Sequence, residues 1–399
     1  MTLPTTRDLE PGQITTIAEL HDYLYRGIQL EHATIPVYLT ALYSLHPETN
    51  SDAWHILRVV AIEEMLHLTL VANVMNAVGA APDLTKKGFV PVYPTRLPDG
   101  ETDFLVDLEP FSEHAVDTFL QIERPSRAPG PDKRIVARSR AHDPAALQTG
   151  NHPPIIGPLL ATVPGQPGEQ FYSIGEFYQE IVHGIAYLEQ ECREQGTTLF
   201  TGDPALQVTP EYYYSGGGEV IPVTDLESCR KALELIGQQG EGFGGGIYDG
   251  EGELAHYYRF QQLKLGWFYL PPDEPGKPTG PPLAIDWSAA YPVQKNPRLA
   301  DYQAGSPLYA AAEEFNKEYA AFLAMLTRAY NGEPQLLLQS VWQMFHVRDG
   351  MVRLVRNPLP GRDGVNAGPT FEVDEAAGTV PPAGTVPAAG TVPAAGTGS

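Results

Sequence analysis

Leu57-Arg-Val-Val-Ala-Ile-Glu-Glu-Met-Leu-His-Leu-Thr-Leu-Val-Ala-Asn-Val-Met-Asn-Ala-Val78 is the stretch whose reading decides the fold. Leu57, Val60, Val71, Val74 and Val78 recur in steps of three and four, which draws one apolar stripe along a helix. The two missing members of that rhythm are Glu64 and His67. An upstream helix opens at Thr16 and carries Ile17, Leu20, Leu24, Ile28, Ile35, Leu39 and Leu42, and its stripe is broken by Glu31. A buried carboxylate without a partner is costly and ends up protonated or paired. No Lys or Arg stands on either stripe to pair with these acids, so the interruptions ask for a common cause.

Outward from these two helices the chain stays helical. A third helix is predicted over 173–194, with Ile174, Phe177, Ile181, Ile185 and Leu188 inward and Ser173 with Glu176 spelling a capping box at its start. A fourth is predicted over 224–239, a fifth from about Gly250 with Glu253, His256, Phe260, Leu263 and Trp267 on one stripe, and two more over 306–330 and 334–355. Long insertions at about 80–172 and 197–223 separate them. The first contains short strand-like pieces such as Phe89-Val-Pro-Val-Tyr-Pro94 and a short helix around 113–122. Loops of such length inside a compact domain point to a functional wall or cover, so the first insertion is expected over the mouth of the bundle.

Composition bounds the rest. The chain has 399 residues, with 26 Lys and Arg against 49 Asp and Glu and a net charge of −23. Phosphate neutralisation needs a basic surface, so neither nucleic acid nor an anionic membrane is expected as a partner. No segment approaches the ~20 apolar residues of a membrane span, and the N-terminus lacks the basic start and apolar run of a signal peptide. With Cys192 and Cys229 alone there is no disulfide framework and no Cys-based metal site; a reducing cytoplasm is the expected compartment. Gly and Pro number 39 and 38, well above their combined average of ~12%. Residues 1–15 read as a lead and 16–373 as one domain. In 374–399 the run Gly-Thr-Val-Pro recurs from Gly378, Gly384 and Gly390, too small in apolar bulk to offset its ordering entropy, so a disordered tail is expected.

Residues three apart on a helix share a face, so Glu64-Met-Leu-His67 and Glu253-Leu-Ala-His256 can each offer a carboxylate oxygen and an imidazole nitrogen to one ion. Two such pairs plus a single Glu from each of two further helices form the ligand set of ferritin-like di-iron and di-manganese proteins. Carboxylates with one imidazole per ion suit iron, or alternatively manganese. The expected ligands are Glu31, Glu64, His67, Glu253 and His256. The remaining carboxylate stays open among Glu176, which doubles as a cap, Glu180 at mid-helix, and Glu241. For Glu253 the competing explanation is an acid favoured near a helix start. Glu63, turned about 100° from Glu64, is expected on a solvated face outside the centre.

The runs Glu31-His-Ala-Thr-Ile-Pro-Val-Tyr-Leu39, Glu63-Glu-Met-Leu-His67, Ser173-Ile-Gly-Glu-Phe-Tyr178, Gln239-Gly-Glu-Gly242 and Ala255-His-Tyr-Tyr-Arg-Phe260 resemble the ferritin-like domain of the iminophenyl-pyruvate dimer synthases of violacein- and rebeccamycin-type pathways. The likeness covers most of residues 16–360. It implies oxidative coupling of an aryl-pyruvate imine to a second copy, and metal residues at Glu31, Glu64, His67, an acid in the run 173–180, and His256. The synthases are longer chains, and this sequence is expected to be a stand-alone counterpart of their ferritin-like section.

The expected protein is therefore all-α, a ferritin-like four-helix bundle with additional helices and long Gly/Pro-rich insertions. Its expected function is that of a non-heme di-metal oxidoreductase, using O2 or peroxide on a small aromatic or amino-acid-derived, imine-like substrate in specialised metabolism. Tyr212, Tyr213 and Tyr214 are expected to wall that substrate. Expected associations are a homo-oligomer or a partner biosynthetic enzyme that supplies an unstable imine. The competing class is an iron-handling ferritin-like protein or a metal-stabilised scaffold, but the first insertion would obstruct the smooth outer faces that build a storage cage. Deleting residues 374–399 should leave the melting temperature unchanged in a thermal melt; a drop of several degrees would show that the tail docks.

Overall fold

The computed structural model describes residues 12–99, 104–126, 173–214, 216–242 and 246–373. The expected tail, and much of the lead and of the first insertion, lie outside these residues. The helices are α1 (Ile17–Ser44), α2 (Ser51–Ala77), α3 (Glu113–Ile122), α4 (Ile174–Glu194), α5 (Leu226–Glu241), α6 (His256–Leu265), α7 (Pro307–Tyr330) and α8 (Leu336–Val355). Among the described residues extended pairing is limited to isolated bridges, so the strand-like pieces of the first insertion yield only the contact of Thr95 with Val106.

Most helix starts are written in the chain. Thr16 and Glu19 form a capping box at α1. Ser112, Ser173, Asp225 and Ser306 accept the orphan N–H groups of α3, α4, α5 and α7. One start is displaced from its sequence expectation. Residues 247–255 fold into a tight antiparallel turn, in which Asp249 Oδ1 accepts from Glu251 N and Glu253 N. Ala255 N then bonds Ile247 O, so α6 begins only at His256.

α1 lies along α2 and α4 along α5, and the two pairs meet through α1–α4 and α2–α5 contacts to make the four-helix bundle. The α7–α8 hairpin packs on α1 and α2, while α3 and α6 pack together with α6 also touching α2 and α5. With neighbours on several sides, α2 is buried at nearly every position from Glu63 to Ala77, the pattern of a central helix rather than a half-solvated one. The described part of the first insertion lies against α1, where the Tyr93 hydroxyl donates to the Ala33 carbonyl at 2.7 Å. No helix among the described residues is long and apolar enough to cross a membrane.

Two asparagines on α2 anchor the second insertion. Asn73 Nδ2 donates to Val208 O and Ile221 O at 2.8 and 3.1 Å, and Asn73 Oδ1 accepts from Val208 N at 2.8 Å. Asn76 Nδ2 donates to Leu206 O and Tyr330 O. Asn73 is fully buried, so Asn73→Ala leaves backbone groups unpaired away from water and should cost about 2–4 kcal/mol in chemical denaturation. A loss within about 0.5 kcal/mol, as for a surface change, would contradict this anchoring role.

Candidate metal centre

Among the described residues two buried groups could each hold an ion: Glu31, Glu64 and His67, and Glu64, Glu123 and His256. Glu31 comes from the middle of α1, Glu64 and His67 from one face of α2, Glu123 from the C-terminal end of α3, and His256 from the first position of α6. His67 Nδ1 lies 3.2 Å from Glu31 Oε2 and 3.8 Å from Glu64 Oε2. His256 Nδ1 lies 3.2 Å from Glu64 Oε1 and 3.4 Å from Glu123 Oε2. Each oxygen of Glu64 therefore faces a different imidazole, as a carboxylate shared between two ions would.

The far sides of these ligands are held in turn. His67 Nε2 is 2.9 Å from Gln239 Oε1, and Gln239 Nε2 donates to Gly217 O at 2.7 Å. That second bond fixes the amide, so His67 Nε2 carries a proton and Nδ1 is the nitrogen that faces the carboxylates. His256 Nε2 is 2.7 Å from Glu63 Oε2. Arg259 sits 3.5 Å from the other oxygen of Glu63 and 3.2 Å from Glu253. Tyr178 donates to Glu31, and Tyr38 donates to Glu123. Thr34 Oγ1 lies 3.1 Å from Glu64 Oε2.

The donor set fits a pair of hard or borderline cations. His256 Nδ1 is buried and has no hydrogen-bond partner, although it points into a nest of carboxylate oxygens. Without a cation the cluster must take up protons instead. Burial pushes the Glu31 carboxyl up to about 7 against the pull of His67. Glu123 is likewise raised by burial, with His256 opposing. Burial also opposes ionisation of Glu64, but the imidazoles of His256 and His67 together hold it below the usual carboxylate range. His67 is driven up to about 10 and His256 well above its ordinary value, because the surrounding carboxylates outweigh the burial that would lower both. Metal ions bound at these positions would take the place of those protons.

Of the residues singled out in the sequence, Glu31, Glu64, His67 and His256 are brought together. Glu253 is not. It precedes α6 in the turn, its side chain is 69% exposed, and it pairs with Arg259. Glu176 and Glu180 belong to neither group: Glu176 lies in the first turn of α4, where its N–H is capped by Ser173, and Glu180 accepts from Gln13 N on the side facing the N-terminal segment. Glu241 accepts from Ser126 N and Gly175 N, and so caps the start of α4. Tyr214 is 73% exposed. Glu63 reverses its expectation. Because α2 is covered on more than one face, the position about 100° from Glu64 meets α6 rather than water. Sequence reasoning missed Glu123, Glu63, Tyr178 and Gln239. The one local signal for Glu123 is its place directly after the apolar stripe Ala115, Phe119 and Ile122 of α3.

A family model described as Ferritin-like matches residues 24–265. The chain belongs to the ferritin-like family. Dichlorochromopyrrolate synthase of Lentzea aerocolonigenes is 28% identical over an alignment of 348 residues that covers 81% of this chain and 30% of that protein. The chain thus spans less than a third of that relative's length. The crystal structure of a ferritin-like protein from Caulobacter vibrioides matches with a TM-score of 0.53 at 21% identity, over 86% of this chain and 96% of that one, and shares the fold.

Glu64→Ala should remove most metal at both positions of the ferritin-like centre, whereas Glu253→Ala and Glu180→Ala should keep near-parental metal content by elemental analysis. Ligands that bind only the folded state stabilise it, so chelation should lower the melting temperature of the parent and hardly move that of Glu64→Ala. Equal metal content in Glu64→Ala and Glu253→Ala would overturn the assignment.

Proposed function

We propose that the chain is a non-heme di-metal oxidoreductase, with iron as the expected metal, that acts with O2 or peroxide on a small aromatic, amino-acid-derived substrate. The observation that carries this reading is Glu64, whose two oxygens face two imidazoles in a fully buried pair of carboxylate–histidine groups. Glu31 and His67 would hold one ion, Glu123 and His256 the other, with Glu64 shared. Bound there, the ions would supply the redox chemistry of dioxygen or peroxide activation that amino-acid side chains lack.

The chain's own contribution is orientation and exclusion of water. Glu31, Glu64, Glu123, His67 and His256 are each at most 3% exposed, so these residues would hold the ions away from bulk water. Tyr178 and Tyr38 fix the outer carboxylates, and Gln239 and Glu63 fix the imidazoles. An aromatic, imine-like substrate is supported by the relative named for making dichlorochromopyrrolate and by the motif resemblance to imine-coupling synthases. An aryl-pyruvate imine hydrolyses in water, so a partner enzyme would supply it by direct delivery, with the cytoplasm as the setting.

The test loads the full chain with Fe(II) without air, then admits O2 or peroxide with and without an imine generated in situ from an aromatic amino acid. Expected are two irons per chain, oxidant consumption that depends on the imine, and a coupled product by mass spectrometry. Iron oxidation indifferent to the imine would overturn the oxidoreductase reading in favour of iron handling.

A further inference from the structure

The two halves of the centre offer the same kinds of donor and differ chiefly behind their histidines. Each half has one outer carboxylate that accepts from a buried tyrosine, Glu31 from Tyr178 and Glu123 from Tyr38, and each has one imidazole presenting Nδ1. Glu64 is common to both. The backing groups differ: His67 Nε2 bonds the neutral amide of Gln239 at 2.9 Å, whereas His256 Nε2 bonds the carboxylate of Glu63 at 2.7 Å.

From this asymmetry we propose that the two metal positions are unequal, and that the Glu64–Glu123–His256 position fills first and holds its ion more tightly than the Glu31–Glu64–His67 position, with Glu63 as the positioning residue responsible. The proposal rests on the metal-centre reading above. A carboxylate behind a ligating imidazole raises its basicity and locks its tautomer, and loss of such a partner typically costs about 10- to 100-fold in metal affinity. An amide locks the tautomer without adding charge. Arg259 does not cancel the difference, because it lies 3.5 Å from Glu63 Oε1, leaves Oε2 to His256, and shares its charge with Glu253. A second feature acts in the same direction. The Glu64 oxygen that faces His67 also has the Thr34 hydroxyl at 3.1 Å, which shares its one proton between that oxygen and the Glu31 carbonyl at 2.9 Å, and no such bond is made to the oxygen facing His256 among the described residues.

The experiment titrates the full chain with Mn(II) and follows free Mn(II) by electron paramagnetic resonance. The parent should bind in two steps, the first at least about 10-fold tighter. Glu63→Gln keeps an acceptor but removes the charge, making both halves amide-backed. It should weaken the first step and merge the two. Glu63→Asp, which keeps the charge, should preserve the order of filling. Gln239→Ala should weaken the second step alone. A purely structural role for Glu63 would lower both steps together, and that result, or two equal steps in the parent, would overturn the inequality. Parent binding no greater than that of Glu64→Ala would instead remove the metal centre itself, and the proposal with it.

Discussion

Glu31, Glu63, Glu64 and Glu123 surround two imidazoles in a volume from which water is excluded, and Arg259 touches this group only at its edge. Removing that many carboxylates from water is expensive unless cations or protons compensate them. The constraint accounts for much of the surrounding architecture. Phenols reach the outer carboxylates, imidazoles sit between the acids, and α3 and α6 pack together beside the bundle, each bringing one side chain that the second half of the centre needs.

The division of labour among the helices departs from the symmetric scheme in which each bundle helix supplies a ligand. α1 and α2 provide Glu31, Glu64 and His67, but α4 and α5 contribute only the supporting Tyr178 and Gln239. The second half comes from α3, inside the first insertion, and from α6, beyond the bundle. That insertion is therefore part of the site and not an ornament on a finished bundle.

The end of α5 ties the parts together. Gln239 holds His67, and two residues on Glu241 bonds the N–H groups of Ser126 and Gly175, which joins the segment after α3 to the start of α4. Opposite Gln239, a glycine strap crosses α2. Gly217 has φ +76°, and a Cβ there would lie 2.6 Å from Glu63 Cγ and 2.9 Å from Glu63 Cα. Only glycine lets the backbone approach so closely, and the approach brings the Gly217 carbonyl to the Gln239 amide.

The sequence by itself determined the helices and the residues that break their apolar stripes, because the helical period is a local property and an acid in a core position stands out against it. Glu31, Glu64 and His67 were legible for that reason, and so was the all-α class. His256 was legible as a residue but not through its proposed partner, since the Glu253-x-x-His256 spacing has meaning only if the helix already exists at Glu253, and the Asp249 turn delays it. Tertiary structure alone decided the rest. Glu123 reaches the centre through the packing of α3 against α6, a contact between segments far apart in the chain. Glu63 is buried because α2 is covered on several faces, and the period of one helix cannot reveal how many neighbours it has.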